Sequence, residues 1–331
     1  MLTGSGVRYR FSGMSKWTFR AMGERSGTRE GRSFCYHERP GARGRFFSYM
    51  EIFKARRAAF QKLHEDGCFV IPNPWDIGTA RYLCHLGFQA LATSSSGFAF
   101  SRGMPDTDRG VSRDLMLGHI AEIVAAVEAP VNADFRAGYA DQPEDVAENV
   151  RLCIDTGVAG LSIEDATEDV RNPLYDVALA IDRIKAARTV IDASGTGVIL
   201  TARAECFLVG HPDPLRESIR RLQAYAEAGA DVLYAPGPRS REDIKSIVAS
   251  VSPKPVNVLV SSNTGLKFSD LAELGARRIS VGSSLARVAW TGFLRAARAI
   301  AQEGSFAGFD GSVSGSELND LFREDSKKSP S

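Results

Sequence analysis

Asp155-Thr156-Gly157-Val158-Ala159-Gly160-Leu161-Ser162-Ile163-Glu164-Asp165 carries a helix end, a turn and a strand in one short stretch. The helical segment 143–155 runs into Gly157, and glycine suits a helix C-cap because it takes a positive φ without a Cβ clash. Leu161-Ser162-Ile163-Glu164 then reads as a strand that stops on a carboxylate. The same order returns three times. His85-Leu86-Gly87-Phe88 precedes Ala90-Leu91-Ala92-Thr93, Glu227-Ala228-Gly229-Ala230 precedes Val232-Leu233-Tyr234, and Glu273-Leu274-Gly275-Ala276 precedes Arg278-Ile279-Ser280-Val281. Four further apolar runs, 68–71, 131–134, 198–201 and 256–259, complete a set of eight. Helical segments at 115–127, 143–155, 177–193, 214–228 and 241–251 lie between them. Eight runs alternating with helices over about 250 residues point to an α/β fold closed as a (β/α)8 TIM-type barrel. No GxGxxG follows the first run, against an open dinucleotide-binding sheet.

Composition narrows the function. With 44% hydrophobic and 24% charged residues the chain reads as an ordinary soluble globular protein. It has no apolar run of about 18 residues, so a membrane partner is not expected. Residues 1–50 carry ten Lys or Arg against three Asp or Glu, whereas the remaining 281 carry 31 against 37. That main body lacks the clustered basic residues of a nucleic-acid footprint, which favours a small-molecule function. The five cysteines and five histidines are scattered with no CxxC pair, which points to reduced thiols in a cytoplasmic protein rather than to a zinc site.

The basic segment 1–50 is rich in Arg, Gly and Ser and lacks a secretory apolar region. It reads as a disordered extension or as the product of an upstream start codon, with Met50 close to the true beginning, and an organelle-targeting segment is the alternative. The barrel is expected over 51–325 and a tail over 326–331. After the eighth run, 285–302 is a long amphipathic helix, and Ser314 and Glu317 have capping-box spacing before Leu318, Leu321 and Phe322.

The ends of the eight runs collect polar residues: Asn73, Trp75, Asp76, the run Ser94-Ser95-Ser96-Gly97, Asp134, Arg136, Glu164, Asp165, Arg203, Glu205, Tyr234 and Asn257. In a barrel all of them face one mouth, where catalytic residues gather. Carboxylates suit a divalent cation, and arginine suits a substrate carboxylate. Each also has a structural reading. A strand-end acid caps the next helix or pairs with a nearby arginine, the serine run makes a solvated turn, and Arg203 pairs with Glu205 or Glu164.

Short motifs in a shared order extend over 52–322. They are Pro72-Asn73-Pro74-Trp75-Asp76, Ala92-Thr93-Ser94-Ser95-Ser96-Gly97 followed by Pro105-Asp106, Ala133-Asp134-Phe135-Arg136-Ala137-Gly138-Tyr139 and Ser162-Ile163-Glu164-Asp165. Thr201-Ala202-Arg203-Ala204-Glu205, Tyr234-Ala235-Pro236-Gly237, Pro255-Val256-Asn257-Val258 and Ser280-Val281-Gly282-Ser283 complete the series. In them the chain resembles the isocitrate lyase/phosphoenolpyruvate mutase superfamily.

The resemblance implies a barrel whose C-terminal helix is exchanged between subunits, a homotetrameric dimer of dimers, and Mg2+ or Mn2+ holding a small 2-oxo or 2-hydroxy acid. It implies Asp134 as direct metal ligand, with Asp106 and Glu164 acting through water. Ser96 and Gly97 would donate to the substrate carboxylate, Arg203 would clamp it, and Asn257 would join that catalytic set. Trp75, Ser95, Arg136 and Tyr234 would surround the substrate. Breaking a C–C bond beside a ketone leaves an enolate, and each preorganised donor at such a charge is worth about 100- to 1000-fold in rate.

Three departures refine this. Arg136 stands where the family often has a second carboxylate, so a metal should bind weakly or need the substrate's own oxygens, and Arg136 gains a possible role in holding a substrate anion. The loop Ala166-Thr167-Glu168-Asp169-Val170-Arg171-Asn172-Pro173 has neither the catalytic cysteine of the isocitrate and methylisocitrate lyases nor the lysine of the mutase. Pro236 ends the sixth run, leaving no obvious general base. The expected activity is metal-dependent C–C cleavage of a small 2-oxo or 2-hydroxy dicarboxylic acid. P–C chemistry on phosphonopyruvate and carboxylate binding without turnover are the alternatives.

Overall fold

The computed structural model describes residues 42–107 and 110–328. The expected extension therefore lies almost wholly outside the described residues. Its boundary falls inside helix α1, Ala42–Leu63, which runs through Met50. The segment 42–50 has no apolar period to announce a helix. What anchors α1 is distant: Arg57 donates Nε to Val158 O at 2.9 Å and Nη2 to Ile154 O at 3.2 Å.

The strands are β1 Phe69–Ile71, β2 Leu91–Ala92, β3 Val131–Asp134, β4 Gly160–Glu164, β5 Ile199–Arg203, β6 Val232–Tyr234, β7 Val256–Leu259 and β8 Arg278–Ser280. All are parallel, in the order β1-β8-β7-β6-β5-β4-β3-β2. Between β1 and β2, Ala92 N–H donates to Pro72 O at 3.0 Å, so the barrel is nearly closed. Helices α2 Ile77–His85, α3 Ser95–Ser101 and α4 Arg113–Ala126 precede β3, and α5 Pro143–Asp155 and α6 Val177–Ser194 flank β4. They are followed by α7 Pro214–Glu227, α8 Arg241–Val251, α9 Phe268–Glu273, α10 Ser284–Glu303 and α11 Gly315–Lys328. The last of these passes beyond the expected end of the barrel at 325. Its cap is the expected one, Ser314 Oγ accepting from Glu317 N–H at 3.1 Å, and its Phe322 ring lies beside Gly78 of α2 in the same chain.

The four glycines of the helix-to-strand rhythm all have positive φ: 87° at Gly87, 88° at Gly157, 101° at Gly229 and 90° at Gly275. At Gly157 space matters as well, because a Cβ there would stand 2.5 Å from the Phe53 ring.

Alternation along the strands places the site. On β4, Leu161 and Ile163 point outward into the layer under the helices, whereas Ser162 and Glu164 face the barrel interior. A second apolar cluster of Phe60, Phe69, Ile71, Ala92, Ile199 and Val232 fills the N-terminal end of the barrel. Phe60 closes it from α1, edge-on to Phe69 with ring centroids 6.4 Å apart. The acid side chains Asp134, Glu164 and Glu205 gather at the other end.

Candidate active site

At the carboxyl ends of the strands is a cavity of about 570 Å3. Asp134, Glu164, Arg203, Glu205 and Tyr234 reach its wall, as do Asp106, Arg136, Ser95, Ser96 and Asn257. Two expected residues are not on that wall. Trp75 packs its Cβ against Gly97, and Gly97 spends its N–H on Ser94 Oγ at 3.1 Å. The serine run is therefore neither a solvated turn nor an open donor loop. Ser94 caps α3, and the serines after it form the first turn of that helix.

Ser95 turns that first turn toward β3. Its N–H and its hydroxyl both donate to Asp134 Oδ2, each at 2.9 Å. Asp134 Oδ1 accepts from Arg203 Nη1 at 2.8 Å, so both of its oxygens are engaged. The same Nη1 lies 2.9 Å from Glu164 Oε2, and Arg203 Nε and Nη2 each reach Glu205 Oε1 at 2.8 Å. The guanidinium carbon stands 5.1 Å over the Tyr234 ring. Arg203 thus pairs with Glu205 and Glu164 together, and with Asp134 besides.

The electrostatics follow from this crowding. Burial opposes the charge on Arg203, yet Glu164, Glu205 and Asp134 hold its pKa well above the usual value. Burial pushes the Glu205 carboxyl up to about 8 against the pull of Arg203, with Glu164 and Asp165 adding to the rise. Burial also raises Glu164, with Asp134 and Asp106 assisting and Arg203 opposing, and it lifts the Tyr234 phenol to about 12. Burial thus favours the protonated form of the Glu205 carboxyl. Its Oε1 takes both Arg203 bonds, and its Oε2 has no protein partner among the described residues.

The expected metal ligands do not stand as a cage. Among the described residues, no group of three His, Cys, Asp or Glu side chains is placed to hold an ion. Asp134 and Glu164 face Arg203, while Asp106 Oδ1 is 2.5 Å from Arg136 Nη1. A divalent ion at Asp134 would have to displace a guanidinium, so the donor set does not fit a ready-made Mg2+ or Mn2+ site. Asn257 is likewise committed: its Oδ1 accepts from Arg278 Nε at 2.8 Å, and its Nδ2 donates to Ser280 Oγ at 2.9 Å.

Two buried arginines that sequence reasoning passed over position these groups. Arg183 of α6 donates to the carbonyls of Ala137, Ala140 and Asp141 and stacks 4.0 Å over Tyr175. It thereby holds the turn in which Arg136 and Tyr139 take φ of 50° and 56°, a left-handed conformation unusual for side-chain-bearing residues. The available signal was an arginine amid the apolar face Ala180, Ile184, Ala187 and Ile191. Arg221 binds Asp165 Oδ2 at 2.9 Å beside the Tyr225 hydroxyl at 2.5 Å. Asp165 Oδ1 in turn accepts from Glu205 N–H at 2.8 Å. The adjacent acids at the end of β4 thus divide: Glu164, its last residue, faces the cavity, and Asp165, just beyond it, pins the start of the loop after β5.

Residues 60–301 match the sequence profile of the family described as phosphoenolpyruvate phosphomutase. An uncharacterized protein of Mycobacterium tuberculosis (strain ATCC 25618 / H37Rv) is 32% identical over 226 residues, 68% of this chain and 82% of its own length. The 2,3-dimethylmalate lyase of Eubacterium barkeri is 28% identical over 262 residues, 76% of this chain and 88% of its own. A crystal structure from Burkholderia cenocepacia J2315, described as a lyase/mutase, superposes with a TM-score of 0.78 at 45% identity. It covers 82% of this chain and 97% of that one.

Proposed function

The chain belongs to the phosphoenolpyruvate phosphomutase family, and from that premise we propose that it is a lyase cleaving a C–C bond in a small 2-oxo or 2-hydroxy dicarboxylic acid. The observation that carries the reading is Arg203, set at a strand end inside the cavity and surrounded by Asp134, Glu164 and Glu205. For a 2-hydroxy acid, the hydroxyl proton passes to a carboxylate of this cluster and the C–O bond becomes a carbonyl. The electron pair of the broken C–C bond enters the neighbouring acid group as an enolate, beside the Arg203 cation. The protonated Glu205 then returns a proton to that carbon. Ser96 holds the substrate from the first turn of α3, where Ser95 fixes Asp134, and Tyr234 walls the far side.

No step is assigned to a metal ion. On this reading Mg2+ or Mn2+ enters only together with a substrate that supplies oxygens of its own. The loop after β4 offers Thr167 and Glu168 to the cavity, with neither a thiol nor an amine, which disfavours both cysteine-dependent lyase chemistry and phosphoryl transfer.

The test is a panel of 2-oxo and 2-hydroxy acids assayed on the full chain, with and without Mg2+ or Mn2+. Release of a shorter 2-oxo acid or of oxalate is the expected result. Phosphate or phosphoenolpyruvate formed from phosphonopyruvate would replace the reading with P–C chemistry. Tight binding of a 2-oxo acid with no product from any member would leave a binding barrel.

A further inference from the structure

Arg278 opens β8 and points into the barrel, where it is 3% exposed. Its register partner on β7 is Asn257, whose partner on β6 is Tyr234, and the series continues to Arg203 on β5 and Glu164 on β4. Side chains at paired register positions face the same side of a sheet, so these five form one inward row. Strand tilt carries the row from Glu164 and Arg203 at the mouth down to Arg278 at the inner end.

The two arginines of this row keep different company. Arg203 is paired with three acid side chains. Arg278 donates Nε to Asn257 Oδ1 at 2.8 Å and Nη2 to Thr201 Oγ1 at 3.1 Å, and its Nη1 lies 3.4 Å from His64 Nε2. All three partners are neutral, since burial and the charge of Arg278 itself hold the His64 pKa at about 3. No carboxylate pairs with Arg278 among the described residues. Burial lowers its own pKa only to about 10, so it stays charged at neutral pH. A guanidinium has five N–H donors, and these contacts leave some of them over at the cavity wall. On the same wall Asn132 Oδ1 is a buried acceptor without a protein partner among the described residues.

A charge held out of water without a counter-charge is costly unless a ligand supplies one. We infer that the inner end of the cavity is an anion subsite, in which Arg278 receives one carboxylate of a small dicarboxylate whose reacting end lies beside Arg203. The inference rests on the reading of this cavity as the site for a carboxylic acid, and it adds the residue that selects for a second acid group. A monocarboxylate leaves Arg278 unmatched, whereas a dicarboxylate neutralises it.

The experiment uses malonate, which needs no turnover to bind. Calorimetric titration into the full chain and into Arg278→Met, with acetate at equal ionic strength as the comparison, reads the subsite directly. Malonate is expected to bind the unmodified protein and to bind Arg278→Met at least tenfold more weakly, with acetate weak in both. Equal malonate affinity in the two proteins overturns the subsite. If Arg278→Met does not fold, a crystal structure of the unmodified protein with malonate decides. A carboxylate within hydrogen-bond distance of the Arg278 guanidinium supports the inference, and malonate found only at the mouth, or not at all, overturns it. Malonate held by Arg278 in a protein that turns over no acid overturns the lyase reading alone. Dicarboxylate turnover unchanged in Arg278→Met overturns the subsite alone.

Discussion

Arg136 Nη1 stands 2.5 Å from Asp106 Oδ1, with the arginine side chain 11% and the aspartate 30% exposed. This pair joins the loop after β3 to the segment after α3, and it occupies an acid that the motif pattern assigned to a metal. The left-handed backbone that presents Arg136 is held from behind by Arg183, so the pairing is built into the turn.

Metal binding should reflect that pairing. Mg2+ titrated alone is expected to show no saturable binding below about 1 mM, and Arg136→Glu to tighten it at least about tenfold by restoring a carboxylate. Calorimetry with Mg2+ checks both, and sub-millimolar binding to the unmodified protein would contradict the account.

Arg203 is the partner of three acid side chains, Asp134, Glu164 and Glu205, and removing it leaves them facing one another. Arg203→Met is expected to lose about 3–5 kcal/mol of stability by urea unfolding. Arg203→Lys keeps a charge without the fork, so it should recover much of that stability while turnover stays down about 100-fold or more.

If Glu205 acts as proton donor, kcat/KM should fall as pH rises through about 8, and Glu205→Gln should abolish that limb along with most of the rate. Its folded pKa lies above the unfolded value, so the folded state binds the extra proton. The associated stability is complete below the ordinary carboxylate range and is lost as pH rises through about 8. Urea unfolding at pH 6 and pH 9 should show a drop that Glu205→Gln reduces.

His64 works in the opposite direction. Burial beside Arg278 lowers its pKa to about 3, so the folded state excludes a proton that the unfolded chain accepts below pH 6.5. The corresponding stability is present above pH 6.5 and lost as pH falls toward 3. His64→Gln is expected to flatten the acid limb of the melting temperature between pH 4 and pH 7.

Gly157→Ala meets both a φ of 88° and the Phe53 ring at 2.5 Å. A loss of about 1–3 kcal/mol is expected in urea unfolding. Truncating the ring as well, in Gly157→Ala with Phe53→Leu, should cost less than the two single changes added together.

Much of the barrel was legible because its signals are local. A glycine after a helix and a short apolar run three residues on are read from neighbours, and β3, β6 and β7 occupy the spans the sequence suggested. The serine run misled for an equally local reason: serine serves a turn and a helix cap alike, and only the bond from Gly97 N–H to Ser94 Oγ decides. Glu164 and Asp165 are neighbours with similar side chains, yet the pleat sends one to the cavity and the other to Arg221.

The sequence by itself determined the element order, the barrel class and the collection of acids and arginines at strand ends, since these depend on periodicity and on residues close along the chain. Only the tertiary structure decided which charges meet. Arg203 is 69 residues from Asp134 in the chain, and Arg136 is 30 from Asp106. Arg278 is set among neutral partners because the register across β4 to β8 carries one polar row down the barrel wall. Pairing of that kind is a property of strand tilt and closure, which no local pattern encodes.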